Sequence, residues 1–74
     1  MVEDNLTPEE VQQHIENCFH SYDLCEELSA LESLDEEQAD RLDRNERHIQ
    51  IMLAKDWFRE GCTAEQITQL ETYL

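Results

Sequence analysis

The sequence "SLDE" at Ser33–Glu36 decides the fold, because it separates two long amphipathic segments. A Ser followed three residues later by a Glu has the form of a capping box, in which two side chains satisfy backbone N–H groups at a helix start. The connection at this point is short, and a short connection lays consecutive helices side by side in opposite directions. We therefore predict an antiparallel helical hairpin whose second helix covers residues 35–60.

Two further helix starts lie on either side of this hairpin. "TPEE" at Thr7–Glu10 combines an N-cap hydroxyl, a proline at the first helical position and a glutamate two residues later, which predicts a first helix over residues 8–32. "TAEQ" at Thr63–Gln66 follows Gly61, the chain's single glycine and a natural left-handed helix end, which predicts a third helix over residues 64–73. The expected fold is all-α, an antiparallel helical hairpin plus a short third helix, or small three-helix bundle.

The length of the chain limits its core. We expect 74 residues to form one domain over residues 1–74, with a flexible N-terminus at residues 1–6. A chain of this size buries only about 60% of the surface that its unfolded form exposes. Further burial between two copies would add stability, so the length favours a homodimer.

The charge is strongly negative and unevenly placed. With 19 acidic and five basic residues the net charge is −14, and all the bases lie between Arg41 and Arg59. Phosphate contacts need clustered Lys and Arg, so direct binding to nucleic acid or to an anionic membrane is disfavoured and a basic protein partner is favoured. Acids one turn before an arginine predict ion pairs within the second helix: Glu37 with Arg41, Asp40 with Arg44 and Asp43 with Arg47.

Two groups of residues on the first helix form the predicted interaction surface. An apolar stripe runs along this helix through Val11, Ile15, Cys18, Tyr22 and Cys25. Leu24, Leu28 and Leu31 turn away from that stripe, and the third helix is too short to cover them. We expect these leucines to mediate homodimerisation. Four acids lie on the opposite side from the apolar stripe, where we expect them to meet a basic partner: Glu9, Glu16, Asp23 and Glu27.

The predicted function is therefore that of a non-enzymatic protein–protein interaction module. The alternative is an acidic nucleic-acid mimic that inhibits a DNA- or RNA-binding protein, since carboxylates spaced along a rigid helix can imitate a row of phosphates. The same acidic residues would carry either function. Competition with DNA for a nucleic-acid-binding protein distinguishes the two.

The histidines and cysteines offer two chemical alternatives. His14 and Cys18 are four residues apart and would bind zinc if Cys62 or His48 completed the site. Free cysteines are commonly buried, however, so we expect Cys18 and Cys25 to be core residues and expect no metal or cofactor. Cys62 precedes the third helix, where a helix N-terminus would lower its thiol pKa. So small a chain leaves little room for an active-site pocket, and we expect no enzyme.

The cysteine count and the hydropathy predict where the protein acts. Three cysteines, an odd number, in a chain without an apolar signal segment indicate reduced thiols rather than a disulfide framework. No run approaches the length of a membrane-spanning helix. We expect a soluble, cytoplasmic protein.

The segment "RNERHIQIMLAKDWF", followed by "TAEQ", resembles a pattern of small helical proteins of unknown function that are encoded by marine cyanophages. The resemblance covers a minority of the chain and implies a phage or marine microbial origin. It brings no catalytic or binding residues with it. The residues that carry it are Asn45, His48, Met52, Asp56 and Trp57.

Overall fold

The computed structural model describes residues 6–74, and these residues contain helices and no strand. The predicted flexible N-terminus therefore lies, except for Leu6, outside the described residues. The elements are α1 Pro8–Ser29, α2 Glu36–Leu53, α3 Asp56–Gly61, α4 Ala64–Leu70 and a C-terminal 3₁₀ turn, Glu71–Tyr73.

The predicted all-α fold, a hairpin of two long helices followed by a short helix, is confirmed. The contacts show that α1 and α2 run in opposite directions, because residue numbers rise along one helix as they fall along its neighbour. Ser21 bonds to His48, and further toward the connection Leu24 lines one groove with Arg41.

Capping boxes start α1 and α4 as the sequence predicts. The Thr7 hydroxyl accepts a hydrogen bond from the Glu10 backbone N–H at 3.1 Å, and the Glu10 carboxylate accepts one from the Thr7 backbone N–H. Thr63 and Gln66 form the same reciprocal pair at the start of α4. Because these bonds satisfy N–H groups that have no partner inside a helix, they fix both starting residues.

The N-cap of α2 lies two residues after the predicted cap, Ser33. Asp35 is the N-cap, and its carboxylate accepts from the Gln38 backbone N–H at 2.7 Å while the Gln38 side chain accepts from the Asp35 N–H. Asp and Ser are about equally good N-caps, and the charged oxygen makes the stronger bond. The first helix also ends early, at Ser29, because Leu31 and Glu32 have little to pack against beyond the hairpin.

The predicted continuous helix over residues 35–60 is wrong. It ends at Leu53, Lys55 is extended (φ −98°, ψ 124°), and α3 begins at Asp56. In a straight helix Phe58 would point about 180° away from Ile49, at about 100° per residue. The break turns Phe58 into the core, where both side chains are 0% exposed. Arg59 Nε donates to the Leu53 carbonyl and so satisfies one end of the broken helix.

The core lies between α1 and α2, and α3 and α4 close its open end. Cys18 and Cys25 are 0% exposed, which agrees with their predicted place in the core. The other buried apolar residues are Ile15, Leu28, Ile49, Met52, Leu53, Phe58 and Leu70.

Gly61 was predicted as a left-handed helix end, which is wrong. It is the last residue of α3, and no described glycine has a positive φ. The reason for a glycine is space, because a Cβ added there would lie 2.5 Å from Val11 Cγ1. The missing side chain allows α3 to pack directly on α1.

The C-terminal 3₁₀ turn packs along both long helices of the hairpin. Gln50 Nε2 donates to the Tyr73 carbonyl at 2.8 Å, the Tyr73 hydroxyl donates to Glu26, and the Tyr73 ring meets the Tyr22 ring edge-on. Ile51 in α2 and Ala54 just after α2 remain exposed. The 3₁₀ turn thus ties the C-terminus to both long helices.

Candidate interaction surface

A row of four carboxylates lies on the solvent side of α1. Glu9, Glu16, Asp23 and Glu27 are all exposed, and α1 contains no Lys or Arg. At 1.5 Å per residue the row is about 27 Å long. Within residues 6–74 none of the four has a basic partner, since the ion pairs there join other acids. These four exposed acids therefore give the solvent side of α1 a negative charge.

The predicted leucine patch is smaller in the structure. Leu24 is 37% exposed and Leu31 is 46% exposed, but Leu28 is only 9% exposed and belongs to the buried side of α1. The sequence prediction for Leu28 is wrong because Leu28 follows Cys25 by three positions and so continues the stripe that faces α2. Two exposed leucines remain as an apolar surface, Leu24 on α1 and Leu31 just beyond its end.

A groove of about 430 Å³ adjoins Leu24 on the side of α2. Arg44 Nη2 pairs with Asp40 at 2.8 Å, and the arginine side chain remains 78% exposed. Arg47 pairs with Asp43 at 3.0 Å. Two of the three predicted ion pairs of this helix are therefore present. Besides Leu24 the groove is lined by Glu37, Asp40, Arg41, Arg44 and Asn45.

A second groove lies at the open end of the hairpin around Trp57. Its apolar walls include Leu6, Val11 and Ile51, and Ile51 is 52% exposed. The Trp57 ring packs edge-on against His14 with ring centroids 5.2 Å apart, and the buried indole N–H has no acceptor among residues 6–74. Trp57 and Val11 both line this groove.

A polar pair of one buried and one half-buried residue crosses the hairpin. Ser21 Oγ lies 2.8 Å from His48 Nδ1, and Ser21 is the one buried polar residue of the described core. Burial, and to a smaller degree the neighbouring His14, lowers the pKa of His48 below its usual value. Sequence reasoning missed this pair. Its signal was a polar residue, Ser21, at a position between Cys18 and Cys25 on the apolar stripe of α1.

The thiols are protonated at neutral pH. Burial raises the pKa of Cys18 to about 12 and that of Cys25 to about 11, with smaller contributions from neighbouring thiols and carboxylates respectively. Burial also raises the pKa of Cys62, so the expectation that a helix N-terminus lowers it is wrong. A nucleophilic cysteine reacts as the thiolate, and none of these sites favours that form.

Neither a metal site nor a membrane helix is found in the described part of the chain. Within residues 6–74 no three His, Cys, Asp or Glu side chains come together as metal ligands, so His14, Cys18, His48 and Cys62 do not assemble the zinc site considered above. None of the helices there combines the length and apolar character needed to cross a bilayer.

The surface and the fold define a small acidic helical protein, and comparison with known proteins adds no relative. The chain matches no family model, and neither a curated protein nor a solved structure is significantly similar to it. The resemblance to cyanophage proteins therefore stays a prediction.

We expect the Ser21–His48 pair to make stability depend on pH. Because the folded-state pKa of His48 lies below its unfolded value, the unfolded chain binds the proton more readily, and stability is lost as pH falls below about 6.5. In His48→Asn, an amide replaces the titrating ring and can still bond to Ser21. The difference in melting temperature between pH 7.5 and pH 5.5 should therefore shrink in this variant.

His20→Asn is the control for this prediction, since His20 is exposed on the outer side of α1. It should leave the pH dependence of the melting temperature unchanged. An equal change in both variants would assign the pH dependence to something other than the Ser21–His48 pair.

Proposed function

We propose that this chain is a non-enzymatic protein–protein interaction module whose α1 carboxylates bind a basic surface of a partner protein. The observation that carries the proposal is the exposed row of Glu9, Glu16, Asp23 and Glu27 on a helix without a base. Charges arranged in this way steer a partner of opposite charge and fix its orientation. The three unpaired cysteines fit a reducing compartment such as the cytoplasm.

We further propose that the protein forms a homodimer through Leu24 and Leu31. These leucines are among the most exposed large apolar residues of the described chain. Pairing them between copies would remove apolar surface from water, which stabilises association by roughly 25 cal/mol per Å² of buried area before the entropic cost of binding.

Mimicry of nucleic acid is the alternative use of the acidic face, and the charge spacing argues against it. Double-stranded DNA carries one charge per about 1.7 Å of its axis, or about 16 over 27 Å. The row on α1 presents four over the same length. A nucleic-acid-binding groove would find only about a quarter of the charges that it recognises on DNA.

The acidic face is tested with a fluorescently labelled oligolysine peptide, followed by anisotropy at 0.15 M salt. We expect the variant E9Q/E16Q/D23N/E27Q to bind about tenfold more weakly or worse, since a tenfold change corresponds to about 1.4 kcal/mol spread over four ion pairs. The control E32Q/E36Q/E37Q/E65Q removes the same charge from exposed positions elsewhere and should weaken binding much less.

Equal losses in the two variants would mean that only the net charge matters, and the proposed face would be rejected. Displacement of double-stranded DNA from a nucleic-acid-binding protein by the chain at 0.15 M salt, lost in the first variant, would favour mimicry instead.

A further inference from the structure

We propose that two copies of the chain pair through the groove beside Leu24, with the acidic side of each α1 lying over Arg41 and Arg44 in the other copy. The inference rests on the self-association proposed above and adds its geometry. The occupant of the groove is thus a second copy of this chain.

The groove brings an apolar centre and both signs of charge together. Leu24 is 37% exposed and lies in the groove with Arg41 and Arg44 of α2. Asp23 immediately precedes Leu24, and Glu27 lies one turn further along α1; both are exposed. Leu24 therefore stands between a negative row on α1 and two arginines on α2. Glu37 and Asp40 line the same groove, and Asp40 already pairs with Arg44.

Two-fold symmetry makes this arrangement self-complementary. A two-fold axis parallel to the helices and centred over Leu24 places α1 of one copy over α2 of the other, and the same operation repeats the contact. Because Leu24 and the arginines line one groove, they lie at the same height along the hairpin. Asp23 and Glu27 of each copy then face Arg41 and Arg44 of the other.

The charges set the orientation of this dimer more than its strength. Exposed ion pairs contribute under about 1 kcal/mol each, and each copy carries a net charge of −14 that repels the other. The repulsion is screened beyond about 8 Å at physiological salt, whereas the facing pairs lie closer than that. We expect a weak dimer in which α1 meets α2 and in which α1 against α1 is excluded by like charges.

A charge swap tests the geometry. R41E/R44E places acids opposite the acidic row, and D23R/E27R places bases opposite the arginines, so each variant alone should dimerise about tenfold more weakly or worse than the original chain. Mixed in equal amounts, the two variants face each other with opposite charges at both halves of the interface. Sedimentation equilibrium at 0.15 M salt should show that the mixture regains association.

Leu24→Glu provides a second test at the centre of the interface and should abolish the dimer. Leu74→Glu is its control, because Leu74 is 66% exposed and lies outside this groove. Circular dichroism on each variant confirms that the helices remain folded.

A dimer that persists unchanged in both charge variants, with no gain on mixing, would overturn this geometry and leave the proposed self-association in place. A chain that stays monomeric at all concentrations would overturn both, while the oligolysine test would still decide the role of the acidic face independently.

Discussion

Phe58→Ala is expected to destabilise the protein by about 3–5 kcal/mol, the range for truncating a fully buried phenylalanine. Phe58 is 0% exposed and packs where α3 closes the end of the hairpin. A protein of this size has a free energy of unfolding of about 4–11 kcal/mol, at about 0.05–0.15 kcal/mol per residue. The substitution would therefore remove a large part of the stability, and a urea titration followed by circular dichroism would show a much lower midpoint.

The control for Phe58 is Leu74→Ala, a truncation of an exposed side chain that should change stability by less than about 0.5 kcal/mol. The prediction also tests whether the helix is interrupted at Ala54 and Lys55, between α2 and α3. If the helix were continuous, Phe58 would face away from Ile49, and its truncation would have a small effect. A midpoint close to that of the original chain would therefore contradict the position of α3.

Gly61→Ala is expected to destabilise the protein although it improves the helix propensity of α3. Alanine is favoured over glycine by about 1 kcal/mol within a helix, but overpacking a close contact costs about 1–3 kcal/mol. The new Cβ would lie 2.5 Å from Val11 Cγ1, and valine is restricted at χ1 and cannot easily turn aside. We expect the steric term to prevail and the melting temperature to fall.

A double-mutant cycle with Val11→Ala identifies the cause of this effect. Removing the methyl groups of Val11 makes room for the new Cβ, so Gly61→Ala should be neutral or stabilising when Val11 is already alanine. The Ile15 Cδ1 atom, at 3.3 Å, is the end of a longer side chain and can move. A higher melting temperature for Gly61→Ala alone would show that the two helices tolerate the extra atom.

Local capping chemistry made the helix starts predictable. The boxes at Thr7 and Thr63 depend on side chains within a few residues of one another, so the sequence contains all that is needed to recognise them. The N-cap of α2 was misplaced by two residues because Ser33 and Asp35 both begin a plausible capping box, and only the fold selects between them.

Features that depend on contacts distant in sequence were not predictable in the same way. The interruption before Asp56 allows Phe58 to be buried in the core. The helical period of the sequence does not define where the other helices of that core lie. The sequence around this interruption is apolar on two sides, a pattern that fits one continuous helix with two neighbours as well as two helices joined by a bend. The hydrogen bond of Ser21 to His48 joins residues 27 positions apart, and the sequence around each residue gives no indication of the other.

The candidate surface was predicted in outline and altered in detail. The acids of α1 are exposed as their spacing indicates, because an amphipathic helix has only one side to bury. Leu28 was misassigned because, at this residue, only a small angle around the helix axis separates the buried side of α1 from its exposed side. The groove between Leu24 and the arginines requires the relative height of two helices, which only the packed hairpin defines.

The edge-on packing of Trp57 against His14 has a practical consequence for studying this fold. The chain contains one tryptophan, and it stands at the junction of α1 and α3, at the opposite end from the connection at Ser33. Its fluorescence emission therefore reports on the detachment of α3 and not on fraying at the connection. Comparing that optical signal with the helical circular dichroism during unfolding would reveal whether the two ends of the hairpin come apart together.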